Sequence, residues 1–485
     1  MSEAIKNKAI KGAGWSFADN ILNQGISFLV SLVLARLLTP EEYGLIGIIT
    51  IFIALFNSIV DSGFSNALIR KTDARDIDYN TVFITNLILS IILFIILFFS
   101  ASSISRFFGQ PQLEPLTQVM ASIVIINAFA IIQRTLFVKR VDFKTQTKIS
   151  LISSLVSGFV GIGMALSGCG VWSLVGQQIS RQLLNSVFLW IYSRWYPKLQ
   201  FSVESFKELF GFGWKLLLSG LIDTVWKDIY QVVIGKCYSA STLGQYSRAQ
   251  QFGAIFSSNL TSVVQRVSYP VLSEIQDNKT VLKFAYKKVI KVTMLVTFCC
   301  MLGLASIAKP MILTLIGDQW LPAVPFLQII CLQMVLYPLH AINLNMLQVQ
   351  GRSDLFLKLE IIKKIIAVIP LLLGIFINIY WMLWGSVVIG IVAYYLNAFY
   401  SGRFLDYSMQ EQIKDILPSF GVAAVMALIV LSLSYVNLSP VVLLLLQLCV
   451  GFSIVVGLCE LFKLDSYLEI KNIALNYISK FRNGK

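Results

Sequence analysis

Fourteen runs of nineteen or more mostly apolar residues follow one another along this chain. They fall at about 12–37, 44–68, 80–104, 114–138, 149–168, 170–193, 211–235, 244–272, 289–308, 322–350, 359–377, 379–401, 416–435 and 440–462. A helix needs about 20 apolar residues to cross a bilayer, and a backbone surrounded by hydrocarbon must satisfy its own polar groups. The runs therefore dictate an all-α polytopic membrane protein of about 14 transmembrane helices. Composition agrees, since only 13% of the 485 residues are charged, against roughly 25% in a soluble domain. The longest connections, near 194–210 and 273–288, are about sixteen residues, too short to fold into a soluble catalytic domain. The opening MSEAIKNKAIKGAGW is polar and basic with no small-residue cleavage site, so no cleavable signal peptide is expected.

Charge orients the spans. With the N-terminus inside and strict alternation, 29 of the 39 Lys and Arg fall in cytoplasmic segments. Only Arg106, Lys236 and Lys309 lie outside, and seven basic residues lie within spans. Cytoplasmic loops collect Lys and Arg, so N- and C-termini are both expected in the cytoplasm. This asymmetry explains the net charge of +14 without a nucleic-acid partner. Seven cysteines without a C-x-x-C, and a single histidine, His340, argue against a disulfide framework or a metal site. His340 is expected to be a hydrogen-bonded core residue. Trp172, Trp195, Tyr196, Trp320 and Trp381 at span ends are expected to form an interfacial belt, and Gly161 and Gly163 to serve helix packing.

An internal repeat organises the chain. GAGWSFADNILNQGISFLVSLVLARLLTPEEYG (12–44) aligns with FGWKLLLSGLIDTVWKDIYQVVIGKCYSASTLG (212–244) at an offset of 200, which sets Gly44 on Gly244. Arg140-Val141-Asp142 likewise pairs with Arg352-Ser353-Asp354. Two parallel six-helix lobes follow, 1–200 and 201–410, with two further helices and a cytoplasmic tail in 411–485; pseudo-symmetric repeats of this kind enclose a central cavity.

The repeat also explains WKLLLSGLIDTVWKDIYQ, a span with four charges. A charge at mid-bilayer costs about 2.5–3.5 kcal/mol on insertion scales. Lys215, Ser219, Asp223 and Lys227 recur every fourth residue and so share one helix face, which Tyr230 and Gln231 extend. The first span carries Ser16, Asp19, Asn20, Asn23, Gln24, Ser27 and Ser31 on the corresponding face. Each stripe is expected to border a water-filled cavity. Asp228 lies off the stripe and is expected to pair locally.

Within the spans stand Arg36, Arg134, Arg181, Lys215, Lys227, Arg248 and Arg266, against Asp19, Asp61, Asp223 and Asp228. The basic excess favours an anionic substrate, and Arg suits forked bonding to phosphate. Pairing with acids and snorkelling to the interface are the competing roles for these bases. Asp19, Asp61 and Asp223 could bind a coupling Na⁺ or H⁺, or pair with the bases. No nucleophile–base pair or phosphate-binding loop is present, so no catalytic residue is named.

The segments ARLLTPEEYGLIGI (35–48), VDSGFSNALIRK (60–71), GVWSLVGQQ (170–178), GQYSRAQQF (244–252), SYPVLSEIQD (268–277) and IGDQWLPAVPFLQI (316–329) together resemble the Wzx-type polysaccharide flippases. The likeness is to the colanic-acid-exporter branch of the multidrug/oligosaccharidyl-lipid/polysaccharide exporter superfamily, and covers about residues 8–415. The resemblance implies two six-helix lobes facing a cationic cavity, and a bacterial inner-membrane flippase for an undecaprenyl-diphosphate-linked oligosaccharide. It implies no cofactor beyond a Na⁺ or H⁺ gradient. Membrane lipids, and the polymerase and chain-length proteins of the same pathway, are the implied partners. It also implies that lumenal bases meet the pyrophosphate, here Lys215, Lys227 and Arg248, with Arg36, Arg134, Arg181, Arg266, Asn23, Gln24 and Tyr230 as further lining. The alternatives are a cation-coupled multidrug exporter, whose cavity should be acidic or aromatic, and a non-transporting component of polysaccharide assembly.

Overall fold

The structure, a computed structural model, describes residues 3–482. The side chains of Lys6, Lys8, Lys11, Ser16, Asn20, Lys480, Arg482 and Lys485, to which the sequence gives topological or stripe roles, lie outside the described residues. Two compact units make up the chain, 1–244 and 245–485. The first contains α1 (Glu3–Leu37), α2 (Pro40–Asp61), α3 (Phe64–Arg70), α4 (Asp76–Phe108), α5 (Leu113–Met120), α6 (Ser122–Arg140), α7 (Phe143–Leu166), α8 (Trp172–Ser193) and α9 (Val203–Cys237). After α10 (Ala240–Glu274), which starts just before the division, the second contains α11 (Lys279–Ser306), α12 (Ala308–Leu315), α13 (Ala323–Met334), α14 (Tyr337–Val349), α15 (Ser353–Ile366), α16 (Val368–Phe376), α17 (Ile379–Leu405), α18 (Met409–Ser432), α19 (Pro440–Leu461) and α20 (Asp465–Arg482).

Among the described residues, nine helices are long and apolar enough to cross a membrane. The remaining expected spans are occupied by α1, α8, α9, α10 and the pair α15–α16, whose polar residues lower their hydropathy. Among them are α1, α8 and α9, which carry the polar faces discussed below.

The repeat is visible helix by helix. α1 and α9 each have 35 residues and end at Leu37 and Cys237, and α2 and α10 begin at Pro40 and Ala240. Each offset is the 200 residues of the sequence alignment. In both halves a helix is broken midway, α5 from α6 and α13 from α14. Both α6 and α14 end in the same capping turn. Asp142 N–H bonds the Phe137 carbonyl at 3.0 Å and Arg352 N–H that of Leu347 at 2.8 Å, with Val141 (φ 57°) and Gly351 (φ 69°) in the left-handed position. The structural partner of Asp142 is thus Arg352. The Arg-x-Asp pairing drawn from the sequence is slipped by two residues.

Gly44 and Gly244 mark the closest helix approach in the first unit. A Cβ on Gly44 would stand 1.8 Å from the Ala240 carbonyl oxygen, and one on Gly244 would stand 1.8 Å from that of Pro40. The two starts therefore cross backbone to backbone, which only glycine allows. Thr39 and Glu42 close a capping box at this end of α2.

α9 lies antiparallel along α2. Gly213 meets the backbone of Gly63, Gly220 faces Ser58, and Gly235 faces Ile48. At one end of this unit Phe83 stacks edge-on against Phe129, Trp190 and Trp195 at 5.9–6.1 Å, around the buried Phe64, Leu68, Ile132 and Leu209. Trp195, expected in an interfacial belt, is half-buried and packs against this core. Trp320, expected in the same belt, is fully buried in the second unit, whereas Trp172, Tyr196 and Trp381 are exposed as expected. Gly161 packs against Gln177 of α8, but Gly163 faces open space.

The lysine run that opens α11 is zipped to acids of the same unit: Lys279 to Asp406, Lys283 to Glu411, Lys287 to Asp415, Lys288 to Glu469 and Lys291 to Asp465, at 2.5–3.4 Å. Deeper in that unit a buried polar network joins helices through Asn343. Tyr286 Oη and Ser401 Oγ donate to its Oδ1, and its Nδ2 donates to Gln412 Oε1. Satisfied networks of this kind fix helix register where apolar burial cannot distinguish protein from lipid. His340 approaches Asn397 at 3.4 Å, the hydrogen-bonded core role expected of it.

Candidate functional site

α9 divides into faces. Its glycine face is buried on α2. Leu218, Ile222 and Val225 are exposed on a second, apolar face. On the flank between them Lys215, Ser219, Asp223 and Lys227 are all exposed, and Tyr230 is half-buried. The glycine face meets α2, and the stripe runs along the flank beside it. Asp228 is half-buried; it accepts a weak hydrogen bond from Gln231 Nε2 at 3.4 Å and feels the Lys227 charge. This is the local pairing expected of it.

The α1 stripe is arranged differently. Asn23 Nδ2 and Ser150 Oγ both donate to Asp19 Oδ1 at 2.5 Å, Ser154 Oγ donates to Asn23 Oδ1 at 2.9 Å, and Thr147 Oγ1 donates to the Trp15 carbonyl. Asp19 and Asn23 are therefore spent on a seam with α7, while Gln24 remains exposed. Val30 closes the same seam over Gly158. Arg181, on the exposed surface of α8, lies in the electrostatic reach of Asp19. Beside it Gln182 donates to Asn127 at 2.8 Å, and Asn127 donates to Asn57 at 3.0 Å, linking α8, α6 and α2.

The other sequence-selected residues are dispersed. Asp61 accepts from Ser65 Oγ and lies near Arg134. Arg36 is exposed in the last turn of α1. In the second unit Arg248 is 4% exposed, donates to Gln251 Oε1 at 2.5 Å and lies 5.5 Å from the Trp320 ring. Arg266, on the same helix, is exposed. The structure thus joins Asp19 to Asn23, with Arg181 within electrostatic reach of Asp19 and Arg134 within reach of Asp61. It collects Lys215, Asp223 and Lys227 along one exposed flank.

Sequence reasoning centred on charge missed the neutral partners Ser150, Ser154, Asn57, Asn127 and Gln182. Their signal is present: Thr147, Ser150, Ser154, Gly158 and Gly161 recur at helical spacing, the small-residue pattern of a close membrane-helix seam.

A second charged group lies at the start of α9. Lys71 Nζ bridges Glu208 at 2.8 Å and the fully buried Asp78 at 3.3 Å. The bond to Glu208 is the largest influence holding its ammonium above the usual lysine range. Arg70 lies 4.5 Å from the Phe212 ring, over a cavity of about 430 Å³. The latch ties the turn after α3 to α9.

Comparison with known proteins accords with this architecture. The family described as polysaccharide biosynthesis protein matches residues 33–325. The teichuronic acid biosynthesis protein TuaB of Bacillus subtilis is 25% identical over 355 residues, 73% of each chain. The succinoglycan biosynthesis transport protein ExoT of Rhizobium meliloti is 26% identical over 68% of this chain and 67% of its own. The lipopolysaccharide biosynthesis protein WzxC of Escherichia coli is 23% identical over 76% of each. Among solved structures, the lipid II flippase MurJ in an inward closed conformation aligns at TM-score 0.73 and 15% identity, covering 93% of this chain and 98% of its own. An inward-facing multidrug resistance MATE family transporter aligns at TM-score 0.58 and 18% identity, covering 79% and 96%. At such identity the likeness is one of fold.

Proposed function

Because this chain belongs to the polysaccharide biosynthesis protein family, we propose that it is a flippase for a lipid-linked oligosaccharide, carrying a diphosphate-joined glycan across the inner membrane by alternating access. The observation that carries this reading is the exposed flank of α9, where Lys215 and Lys227 stand within a membrane-spanning helix beside Ser219 and Asp223. A diphosphate leaving water needs compensating charge, because burying an unpaired anion costs several kcal/mol. Ammonium groups spaced along a helix supply it in steps, and hydroxyl and amide groups offer sugars hydrogen bonds of ordinary strength. The lipid II flippase fold and relatives named for teichuronic acid, succinoglycan and lipopolysaccharide biosynthesis support a glycan cargo. A cationic drug would meet the wrong sign of charge at these lysines.

The reading extends to topology and energy supply. The 29-to-3 basic asymmetry supports cytoplasmic termini. Among the acids, Asp19 accepts two hydrogen bonds on the α7 seam and Asp61 accepts from Ser65. The candidate acids for coupling to Na⁺ or H⁺ are Asp19, Asp61 and Asp223.

The test is glycan export in a flippase-null strain. Lys227→Ala and Arg181→Ala are expected to impair export at normal protein levels, and full complementation by both would refute the anion path. Cysteines at 219, 223 and 227 should react with aqueous reagents, while those at 217 and 221 should not. Asp223→Asn should lose any gradient-dependent component of transport.

A further inference from the structure

We propose that the second unit holds a binding site for the headgroup of an anionic phospholipid, centred on Arg403. A cavity of about 530 Å³ opens between the end of α17 and the start of α18. Its walls include Tyr395, Phe399, Gly402 and Met409, and among the described residues Arg403 is the one basic side chain that lines it. A water occupies about 30 Å³ of liquid, so the space holds a group many times larger.

The charge balance around the cavity favours an anion. Its two acids, Asp406 and Glu411, are engaged by Lys279 and Lys283 at 2.5 and 3.4 Å, and Lys283 Nζ also donates to the Asp406 carbonyl. The Lys279 contact is the main cause holding the Asp406 carboxyl below its ordinary range. No carboxylate among the described residues pairs with Arg403. Its guanidinium carbon lies 4.2 Å from the centre of the Phe399 ring, and a guanidinium group suits forked bonding to a phosphate.

A lipid, and not a soluble phosphate, is indicated by what leads to this arginine. Val388, Ile391, Tyr395 and Phe399 are 57%, 52%, 52% and 39% exposed. Their three- and four-residue spacing makes one continuous apolar track on α17, and Arg403 is the next step along it. An acyl chain lying on the track places its phosphodiester at the guanidinium. The site is separate from the α9 flank and does not depend on the transport reading.

Native mass spectrometry of the full-length protein, titrated with phosphatidylglycerol and separately with phosphatidylethanolamine, tests the site. The wild type is expected to retain phosphatidylglycerol at least tenfold more strongly than phosphatidylethanolamine. Arg403→Gln should remove that preference, Arg403→Lys should restore part of it, and Lys309→Gln should leave it intact. Equal phosphatidylglycerol retention by wild type and Arg403→Gln overturns the proposal. Thermal unfolding of each variant excludes loss through misfolding, since Arg403 is exposed. Glycerol 1-phosphate at millimolar concentration should not displace the lipid; displacement would reassign the site to a free phosphate and equally overturn the lipid.

Discussion

Replacing Gly44 by alanine should open the crossing between the starts of α2 and α10. The new methyl would stand 1.8 Å from the Ala240 carbonyl oxygen, where a carbon–oxygen contact needs roughly 3.3 Å. That oxygen belongs to a helix backbone and cannot rotate aside, so the helices must part by about 1.5 Å. Overpacking costs ~1–3 kcal/mol, and a clash with rigid backbone belongs at the upper end. Alanine recovers ~1 kcal/mol of helix propensity over glycine. The net is ~2 kcal/mol, or about thirtyfold in the population of the crossed arrangement. Gly244→Ala should behave alike, because its methyl meets the Pro40 oxygen at the same 1.8 Å. Gly421→Ala is the control, with nothing within 4 Å of its new methyl, and should be neutral or stabilising. Thermal unfolding in detergent and disulfide trapping between cysteines placed near 40 and 240 report the two effects. Unchanged unfolding and trapping in both crossing variants, matching Gly421→Ala, would refute the backbone contact.

Val141→Gly should stabilise the protein by about 1 kcal/mol, measured as a raised unfolding midpoint, because a β-branched residue occupies a left-handed cap that favours glycine. Lys71→Met should destabilise by about 3 kcal/mol, since it strips the lysine from the fully buried Asp78; Glu208→Gln, which alters a carboxylate that is itself exposed, should cost much less in the same assay. Asp354, held by the Arg352 guanidinium at 2.7 and 2.9 Å, has its carboxyl drawn down to about 2. A depressed carboxyl stabilises above its unfolded value and loses that contribution as pH falls toward 2. The difference in unfolding between the wild type and Arg352→Met should therefore be present at pH 6 and vanish near pH 2.

The spans were legible because hydrocarbon permits few alternatives: a long apolar run must be a helix. The duplication was equally legible at α1 and α9, where polar residues recur against an apolar background and the helix ends match to the residue. It blurred at Arg140 and Arg352, where two Arg-x-Asp triplets coincided near capping turns that the backbone aligns differently. Roles failed where one side chain admits two environments. Trp320 looks interfacial by position, yet its ring is buried beside Arg248. Asp19 and Asn23 form a polar stripe in either reading, and only the serines of α7, too short to register as charge, turn that stripe into a seam. Arg403 is one of 39 Lys and Arg in the sequence, and its separation from carboxylates appears only once the neighbouring lysines are seen to engage them.

The contrast between the two seams bears on how the chain is assembled. With four charges in the stretch 214–231 of α9, insertion of that helix alone would cost on the order of 10 kcal/mol. Its packing partners α2, α3 and α4 all precede it in the chain, and the glycine face that meets α2 needs no polar group to form. α9 is thus a late arrival that docks on an existing wall, and its charged flank is tolerated because the glycine face beside it already has its partner. A block in the synthesis or placement of α2 should accordingly leave α9 outside the bilayer, although the two helices are separated by six others in sequence order.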